Sequence, residues 1–317
     1  MRIGIIGSGA LGLYYGAMLQ RSGQDVHFLL RRDYQAIQSR GLQIYSGNGN
    51  FHLPQISGYQ TSQEIGTVDL VIVGLKTISN HHLIDLVKPL LETDTAILTL
   101  QNGLGNEELL AKAFGAKRVL GGVAFLCSNR GKPGMVHHLG EGRIRLGEFA
   151  EGASQRSRDL AEMFQVAGVL CEAVSDLRRA RWEKLVWNIP FNGLSALLDK
   201  DVTNLLNHPP SKELVRDLML EVIAGANAQG LEEPIAGSAF SQQMISFTEN
   251  MDHYRPSMMI DRAKELPLEL EAIYAIPLQQ ARDAGVNMTR VEMLHTLLDF
   301  GECDSDCINV HWQPVEP

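Results

Sequence analysis

Short apolar runs alternate with helical stretches along the first half of the chain. After a first run at the N-terminus, they occupy Gly23–Leu30, Val68–Leu75, Ala96–Leu100 and Arg118–Leu126. This alternation predicts a parallel sheet with helices on both faces. Between residues 133 and 148, apolar and polar positions alternate one by one. That pattern predicts antiparallel strands that close an edge of the sheet.

The pattern changes at about residue 155, where apolar residues begin to recur at helical spacing and strand signals fade. Helical segments continue to about residue 300. The chain therefore divides into two domains with a boundary near residue 174, within a few residues. The segment after about residue 300 is polar and lacks periodicity, so we expect it to be loosely held.

A glycine motif follows the first apolar run and precedes a helical pattern over Leu13–Gln20. It reads Gly7-Ser8-Gly9-Ala10-Leu11-Gly12, and a G-x-G-x-x-G between strand and helix is typical of dinucleotide binding. Gly7 allows a tight turn, Gly9 lets the backbone approach a pyrophosphate, and Gly12 lets the helix pack on the strand. The predicted fold is therefore α/β: an N-terminal Rossmann-type dinucleotide-binding domain, residues 1–174, and an all-α C-terminal domain, residues 175–317.

The residues about 20 positions beyond the glycines indicate which dinucleotide is bound. An NAD site usually has an acidic residue there, whereas this chain has Arg31 and Arg32. A guanidinium can bind a 2′-phosphate through two hydrogen bonds, which favours NADP(H). The alternative is a solvated basic pair at the end of a strand.

Composition narrows the function classes. The chain has 317 residues, 44% of them hydrophobic, and a formal net charge of −9, which argues against nucleic acid or an anionic membrane as partner. No apolar stretch approaches the roughly 18 residues that span a bilayer.

Four cysteines are too few for a disulfide scaffold, so we expect a reducing cytoplasm. The spacing of Cys303, Cys307 and nearby histidines does not fit a common zinc site, and we expect no metal.

Two polar residues follow predicted strands directly. Lys76 comes after the Val68–Leu75 run and Asn102 after the Ala96–Leu100 run. Ligands of open parallel sheets bind outside the carboxyl ends of the strands, so both residues fall at the functional edge. Each could equally be loop chemistry, a solvated lysine or an Asn-Gly turn.

The second half contains a polar face within an apolar helix. Lys184, Asn188 and Asn192 are spaced by four residues, which places them on one side of a helix. Pro190 should kink that helix and could move Asn192 out of phase. A surface lysine with two structural amides is the alternative to a functional site.

Two further candidates lie later in the chain. Ser257 precedes a helical pattern and by itself reads as a helix cap. Glu269 begins another helical pattern and by itself reads as an N-terminal helix carboxylate.

Taken together, these motifs resemble the ketopantoate reductase family (2-dehydropantoate 2-reductases) to about residue 300. The motifs that carry the resemblance, in order, are Gly7–Gly12, Leu75-Lys76, Gln101-Asn102-Gly103-Leu-Gly, Trp182-Glu-Lys184 with Asn188 and Asn192, and Ser257-Met-Met-x-Asp261 with Glu269.

The resemblance implies an oxidoreductase that reduces ketopantoate to pantoate with NADPH, in pantothenate and coenzyme A biosynthesis. Lys184 would be the proton donor, and Glu269 would border cofactor and substrate. The other implied contacts are Asn188, Asn192 and Ser257 to substrate, Asn102 to both substrate and cofactor, and Arg31, Lys76 and Cys127 to the cofactor. The implied partner is a small 2-oxo acid, and a homodimer stays open.

One segment departs from the family. After the glutamate the family usually continues Ile-Asp-Tyr-Ile-Asn-Gly, whereas this chain reads Glu269-Leu-Glu-Ala-Ile-Tyr-Ala, with Pro277 soon after. Because that helix lines the family's cleft, a reductase of another small 2-oxo acid is one alternative. A non-catalytic NADP-sensing protein is another, although the retained polar residues argue against it.

Overall fold

The computed structural model describes residues 1–150 and 152–302. They fall into two compact units that divide between Arg181 and Trp182, later than the boundary predicted near residue 174. The segment expected to be loosely held lies mostly outside the described residues.

Within the described residues, the first unit contains one mixed sheet of ten strands. The strands are β1 Arg2–Ile6, β2 Asp25–Leu29, β3 Leu42–Ser46, β4 Phe51–Leu53, β5 Ser57–Tyr59, β6 Leu70–Val73, β7 Ala96–Thr99, β8 Val119–Arg130, β9 Met135–Glu148 and β10 Cys171–Ala173. Their order is β4-β3-β9-β8-β7-β6-β1-β2-β5, and β10 also pairs with β9. The run from β8 to β5 is parallel, as the sequence predicted.

The prediction for residues 133–148 was right about direction and wrong about position. β9 is one long strand, antiparallel to β8, but it does not close the sheet. On its other side it pairs in parallel with β3 and with β10. An alternating pattern reports which side chains are buried, and it carries no information about whether a further strand lies beyond.

Helices cover both faces of this sheet. They are α1 Ala10–Arg21, α2 Tyr34–Arg40, α3 Ser62–Ile65, α4 Leu83–Val87, α5 Asn106–Phe114 and α6 Gln155–Val166, with short 3₁₀ turns at Thr77–His82, Lys88–Leu90 and Ala116–Arg118. Successive side chains of a strand point to opposite faces. Accordingly, Ile5 of β1 belongs to one buried cluster and Ile6 to the other.

The second unit is helical throughout its described part, which confirms the predicted all-α class. Its helices are α7 Leu177–Leu198, α8 Val202–Asn207, α9 Pro209–Asn227, α10 Gly237–Glu249, α11 Ser257–Arg262, α12 Ile276–Asp283 and α13 Thr289–Phe300, with a π-helical turn at Glu271–Ala275. The first turn of α7, to Arg181, belongs to the first unit. No helix within the described ranges is long and apolar enough to cross a bilayer.

Pro190 does not end α7, which continues as helix to Leu198. A buried tyrosine packs beside the proline: the Tyr274 hydroxyl donates to the Ile189 carbonyl at 2.7 Å. Gly193 makes this contact possible, because a Cβ there would lie 2.4 Å from the Tyr274 hydroxyl oxygen. The helix that carries Lys184, Asn188 and Asn192 is therefore supported by a side-chain contact directly beside the proline.

Candidate active-site residues

The three glycines of the N-terminal motif meet different demands. Gly7 has φ +95°, and a Cβ there would lie 2.2 Å from the Leu75 amide nitrogen. A Cβ at Gly12 would lie 2.3 Å from the Gly7 carbonyl oxygen. At Gly9 a Cβ would meet no atom of the described residues within 4 Å, apart from its neighbours in the chain. The fold therefore requires glycine at 7 and 12 for steric reasons, whereas no packing contact in that part of the chain requires it at 9, where the space beside the backbone is open to a ligand.

The turn fits a pyrophosphate in two further respects. Among the described residues, no side chain caps the N-terminus of α1, and its first turn has no acidic residue to compete with a phosphate for the amides and the dipole. The buried Ser8 hydroxyl also has no hydrogen-bond partner within the described residues. An uncapped twelve-residue helix behind a glycine turn is a ready site for phosphate groups.

The basic pair at the end of β2 is part of a larger guanidinium cluster. Arg31 and Arg32 are exposed, and the next residue, Asp33, is buried and ion-paired with Arg130 from the end of β8. Asp33 also accepts from the Gly134 amide at 3.3 Å. Burial, together with the charges of Arg32 and Arg31, lowers the pKa of Arg130 to about 10. This turn therefore brings three guanidinium groups close to one another with one carboxylate among them, and it carries excess positive charge.

Sequence reasoning missed Arg130 and Asp33. Asp33 and Gly134 are 101 residues apart, and no local pattern links them. Arg130 is the last residue of a long strand, where a charged residue is normally interpreted as solvent-exposed.

The first unit places its other predicted site residues on neighbouring elements. Lys76 and Asn102, both half-buried, follow the C-terminal ends of β6 and β7, which pair in parallel. Cys127 lies in β8 beside a bulge, and its side chain is buried. Their contacts with the cofactor stay predictions.

In the second unit, the polar face of α7 is as the spacing predicted. Lys184 is half-buried, whereas Asn188 and Asn192 are 4% and 2% exposed. Because these two side-chain amides are buried away from water, they need hydrogen-bond partners within the protein or on a ligand.

Asn192 finds its partners on the segment that carries Ser257. Its Oδ1 accepts from the Ser257 hydroxyl at 3.3 Å and from the Met258 amide at 3.1 Å. The prediction that Ser257 caps a helix was wrong, because Ser257 is the first residue of α11 and Pro256 holds the cap position. The carbonyl oxygen of Asn192, from another helix, takes the amide that a cap would take. Two predicted substrate residues, 65 positions apart, therefore contact each other.

Glu269 is 4% exposed and lies just ahead of the π-helical turn Glu271–Ala275. Its carbonyl accepts from the Ile273 amide at 3.2 Å, so it begins the helical segment as predicted. Pro277, which lacks an amide hydrogen, falls at the start of α12 directly after this turn. π-Turns are frequent at functional sites, and this one occupies the segment that departs from the family pattern.

A buried ion pair that the sequence did not indicate lies beneath the Asn102 loop. Arg181 pairs with Glu107, and both side chains are 5% exposed. Arg181 directly precedes the Trp182-Glu-Lys184 motif, but an arginine near the start of a helix is normally interpreted as facing solvent, so its burial was not predicted.

Within residues 1–150 and 152–302, no group of three or more His, Cys, Asp or Glu side chains could hold a metal ion. Cys303, Cys307 and His311, the residues weighed for zinc, lie outside that part of the chain.

Comparison with known proteins gives consistent similarities along the chain. The family model "Ketopantoate reductase PanE/ApbA" matches residues 3–151, and "Ketopantoate reductase PanE/ApbA C terminal" matches residues 176–302. A 2-dehydropantoate 2-reductase from Nostoc sp. is 44% identical over 301 residues, covering 93% of both chains.

Solved structures agree. That of 2-dehydropantoate 2-reductase from Geobacter metallireducens has 59% identity and a TM-score of 0.94, covering 95% of this chain and 100% of that chain. The corresponding protein from Methylococcus capsulatus has 30% identity and a TM-score of 0.86, with 95% and 97% covered.

Proposed function

The chain belongs to the ketopantoate reductase family, and we propose that it reduces 2-dehydropantoate (ketopantoate) to pantoate with NADPH. The substrate is a 2-oxo acid, and the product belongs to pantothenate and coenzyme A biosynthesis. The proposal assigns cofactor binding to the first unit. It assigns proton donation and substrate binding mainly to the second.

The cofactor would be held by groups the first unit already presents. The amides of the turn Gly7–Gly12 and the N-terminus of α1 suit its pyrophosphate. Arg31 and Arg32 suit the 2′-phosphate, with Lys76, Asn102 and the backbone at Cys127 as further contacts. When bound, NADPH supplies the hydride that reduces the C2 ketone.

Lys184 would supply the proton that the C2 oxygen needs. Its ammonium group also places positive charge where negative charge develops on that oxygen. Asn188, Asn192 and Ser257 would orient the carboxylate and hydroxyl groups of the substrate. Glu269 would border both ligands and hold either the ammonium group or a substrate hydroxyl.

One observation carries this assignment. Asn192 and Ser257 come from different segments, and their side chains hydrogen-bond within a mostly apolar unit. The family pattern assigns both residues to the substrate, and the fold brings them into contact although they are 65 positions apart in the sequence.

A steady-state assay of NADPH oxidation tests the proposal. Ketopantoate should be turned over with a higher kcat/KM than other small 2-oxo acids, and NADPH should be preferred to NADH. Lys184→Ala should lower kcat more than about a hundredfold and leave NADPH affinity unchanged. Lys200→Ala, an exposed lysine just beyond the same helix, is the matched control. A near-normal kcat in Lys184→Ala would remove the lysine from the mechanism.

The π-turn and Pro277 favour one second candidate, a reductase for another small 2-oxo acid. The same assay decides, because that enzyme would have its highest kcat/KM with a different acid. NADPH binding without turnover of any 2-oxo acid would instead indicate a non-catalytic NADP-sensing protein. The homodimer stays a prediction, to be tested by sedimentation equilibrium.

A further inference from the structure

The loop between β7 and α5 carries Asn102 and adopts a backbone that needs outside support. It turns through Gly103 at φ +77° and Gly105 at φ +89°, both in the left-handed region. Glycine makes this path possible, but it also gives the loop the greatest conformational freedom to lose. A side chain on such a loop is well placed only if other groups hold the backbone.

Arg181 holds the start of this loop through hydrogen bonds to backbone carbonyls. Its guanidinium donates to the Gln101 carbonyl at 2.7 Å and to the Thr99 carbonyl at 3.2 Å. Its Nε also donates to Glu107 Oε1 at 2.9 Å. The carbonyl of Gln101 belongs to the peptide bond that leads into Asn102, so one buried side chain fixes the residue before the predicted site residue.

The neighbouring strand leaves room for this ion pair. A Cβ at Gly121 in β8 would lie 2.2 Å from Glu107 Oε1 and 2.7 Å from Leu177 Cδ2. Glu107 is the second residue of α5 and is 4% exposed. Glycine in the middle of a strand has a cost in stability, so its presence here indicates that the carboxylate must lie against the sheet.

Three buried or half-buried side-chain amides form a second set of hydrogen bonds to the same loop. Gln101 Nε2 donates to Asn80 Oδ1 at 2.8 Å, and Asn80 Nδ2 donates to Asn106 Oδ1 at 3.0 Å. Asn106 Nδ2 then donates to the Asn102 carbonyl at 2.9 Å. Asn80 lies in the 3₁₀ turn that follows Lys76, so the network joins the two loops that carry Lys76 and Asn102.

We propose that Arg181, paired with Glu107, is a positioning residue that fixes the Asn102 loop in the geometry the reaction needs. The inference rests on the proposed function, because that function gives Asn102 its role. Arg181 itself touches neither ligand in this proposal and acts only through the backbone carbonyls of Thr99 and Gln101.

Hydrogen exchange tests whether Arg181 holds the loop, independently of activity. Arg181→Lys keeps the charge next to Glu107 but lacks the planar fork that reaches two carbonyls at once. In this variant the peptide spanning Gln101–Asn106 should exchange about tenfold faster or more, while the peptide spanning Gly7–Gly12 stays unchanged. Arg178→Lys, an exposed neighbour on the same helical turn, is the control. Unchanged exchange in Arg181→Lys overturns the inference.

Kinetics then test whether the support acts through Asn102. Arg181→Lys should lower kcat with ketopantoate about tenfold at unchanged NADPH affinity, since small misplacements near reacting groups have effects of this size or larger. In an Asn102→Ala background the same change should have less than about a twofold effect, because residues that act as one unit are not additive. An equal factor in both backgrounds overturns the positioning role.

Replacing both charges, Arg181→Met with Glu107→Met, guards against a folding defect from an unpaired buried charge. It should reproduce the faster exchange of the loop. Failure of the wild-type protein to reduce ketopantoate would count against the proposed function alone, because the exchange experiment still decides whether Arg181 holds the loop.

Discussion

Alanine substitutions at Gly9 and Gly12 separate what the glycine motif does for the fold from what it does for the cofactor. Gly9 has φ −78° and ψ −163°, which any residue can adopt, and within the described part of the chain a Cβ there would meet nothing within 4 Å except its chain neighbours. Gly12 is the opposite case, because a Cβ there would lie 2.3 Å from the Gly7 carbonyl oxygen. That carbonyl belongs to the turn itself and cannot move without distorting it.

The expected stability changes follow from these contacts. Gly9→Ala gains about 0.4–1 kcal/mol through the unfolded chain and loses up to about 1 kcal/mol because alanine caps helices less well than glycine. The two effects nearly cancel. Gly12→Ala gains about 1 kcal/mol of helix propensity, but overpacking costs about 1–3 kcal/mol, at the upper end here because the obstacle is backbone. We expect Gly12→Ala to be less stable by about 1–2 kcal/mol.

Cofactor affinity should follow a different order. A methyl group at Gly9 occupies the position from which the backbone approaches the pyrophosphate, and a lost charge-assisted hydrogen bond is worth about 1.5–3 kcal/mol. The Kd for NADPH should therefore rise about 10- to 150-fold in Gly9→Ala.

Thermal unfolding and fluorescence titration with NADPH measure the two quantities on the same preparations. About 1 kcal/mol corresponds to a shift in Tm of about 2–4 °C for a unit of this size. Gly9→Ala should thus unfold near the wild-type Tm and bind NADPH weakly. Wild-type affinity in Gly9→Ala would refute the proposed approach of the pyrophosphate, and a large loss of Tm would refute the reading of Gly9 as unconstrained.

Three further predictions concern other parts of the chain. Arg31→Ala should weaken NADPH binding about tenfold or more and leave NADH binding unchanged, measured by titration with both cofactors, because only NADPH carries the 2′-phosphate. Tyr274→Phe removes a buried hydrogen bond of 2.7 Å to the Ile189 carbonyl, and should lower the free energy of unfolding by about 0.5–1.5 kcal/mol, while Tyr45→Phe on the exposed side of β3 changes it little. His253 hydrogen-bonds Asp201 at 2.8 Å, and this bond and the Asp201 charge raise the pKa of His253. An NMR titration should therefore show a midpoint above the ordinary histidine value that falls in Asp201→Asn. Because the pair also lowers the pKa of Asp201, its stabilisation should be present between the two pKa values, lost as pH rises through that of His253 and lost as pH falls through that of Asp201.

The features that the sequence predicted correctly are those whose signal is local. The order of strand, glycine turn and helix over residues 2–21 and the four-residue spacing on α7 each depend on residues close together in the chain. Periodicity states which side of an element is buried, and in both cases burial decided the structure. The all-α class of the second unit follows for the same reason.

The features that were missed depend on partners far apart in the sequence. Arg181 and Gln101, whose carbonyl it contacts, are 80 residues apart in the sequence, and Arg130 and Asp33 are even further apart. β3 and β4 are short strands with several exposed or half-buried residues, so their apolar signal was weak. In each case the choice of partner is made by the tertiary fold, which a local pattern does not record.

Asn192 shows how local and long-range information combine. Its spacing from Lys184 and Asn188 placed it on the correct face, yet Pro190 gave a sound reason to doubt that it stays there. The structure resolves the conflict through Tyr274 and Gly193, which support α7 next to the proline, and through Met258, whose amide binds the Asn192 side chain. The side-chain oxygen of Asn192 already accepts a hydrogen bond from the Met258 amide, so its side-chain NH₂ is the group that can donate to a substrate oxygen. The expected consequence is directional: Asn192→Asp should retain the contact to Met258 and lose affinity for an anionic 2-oxo acid, because it replaces a donor with a negative charge.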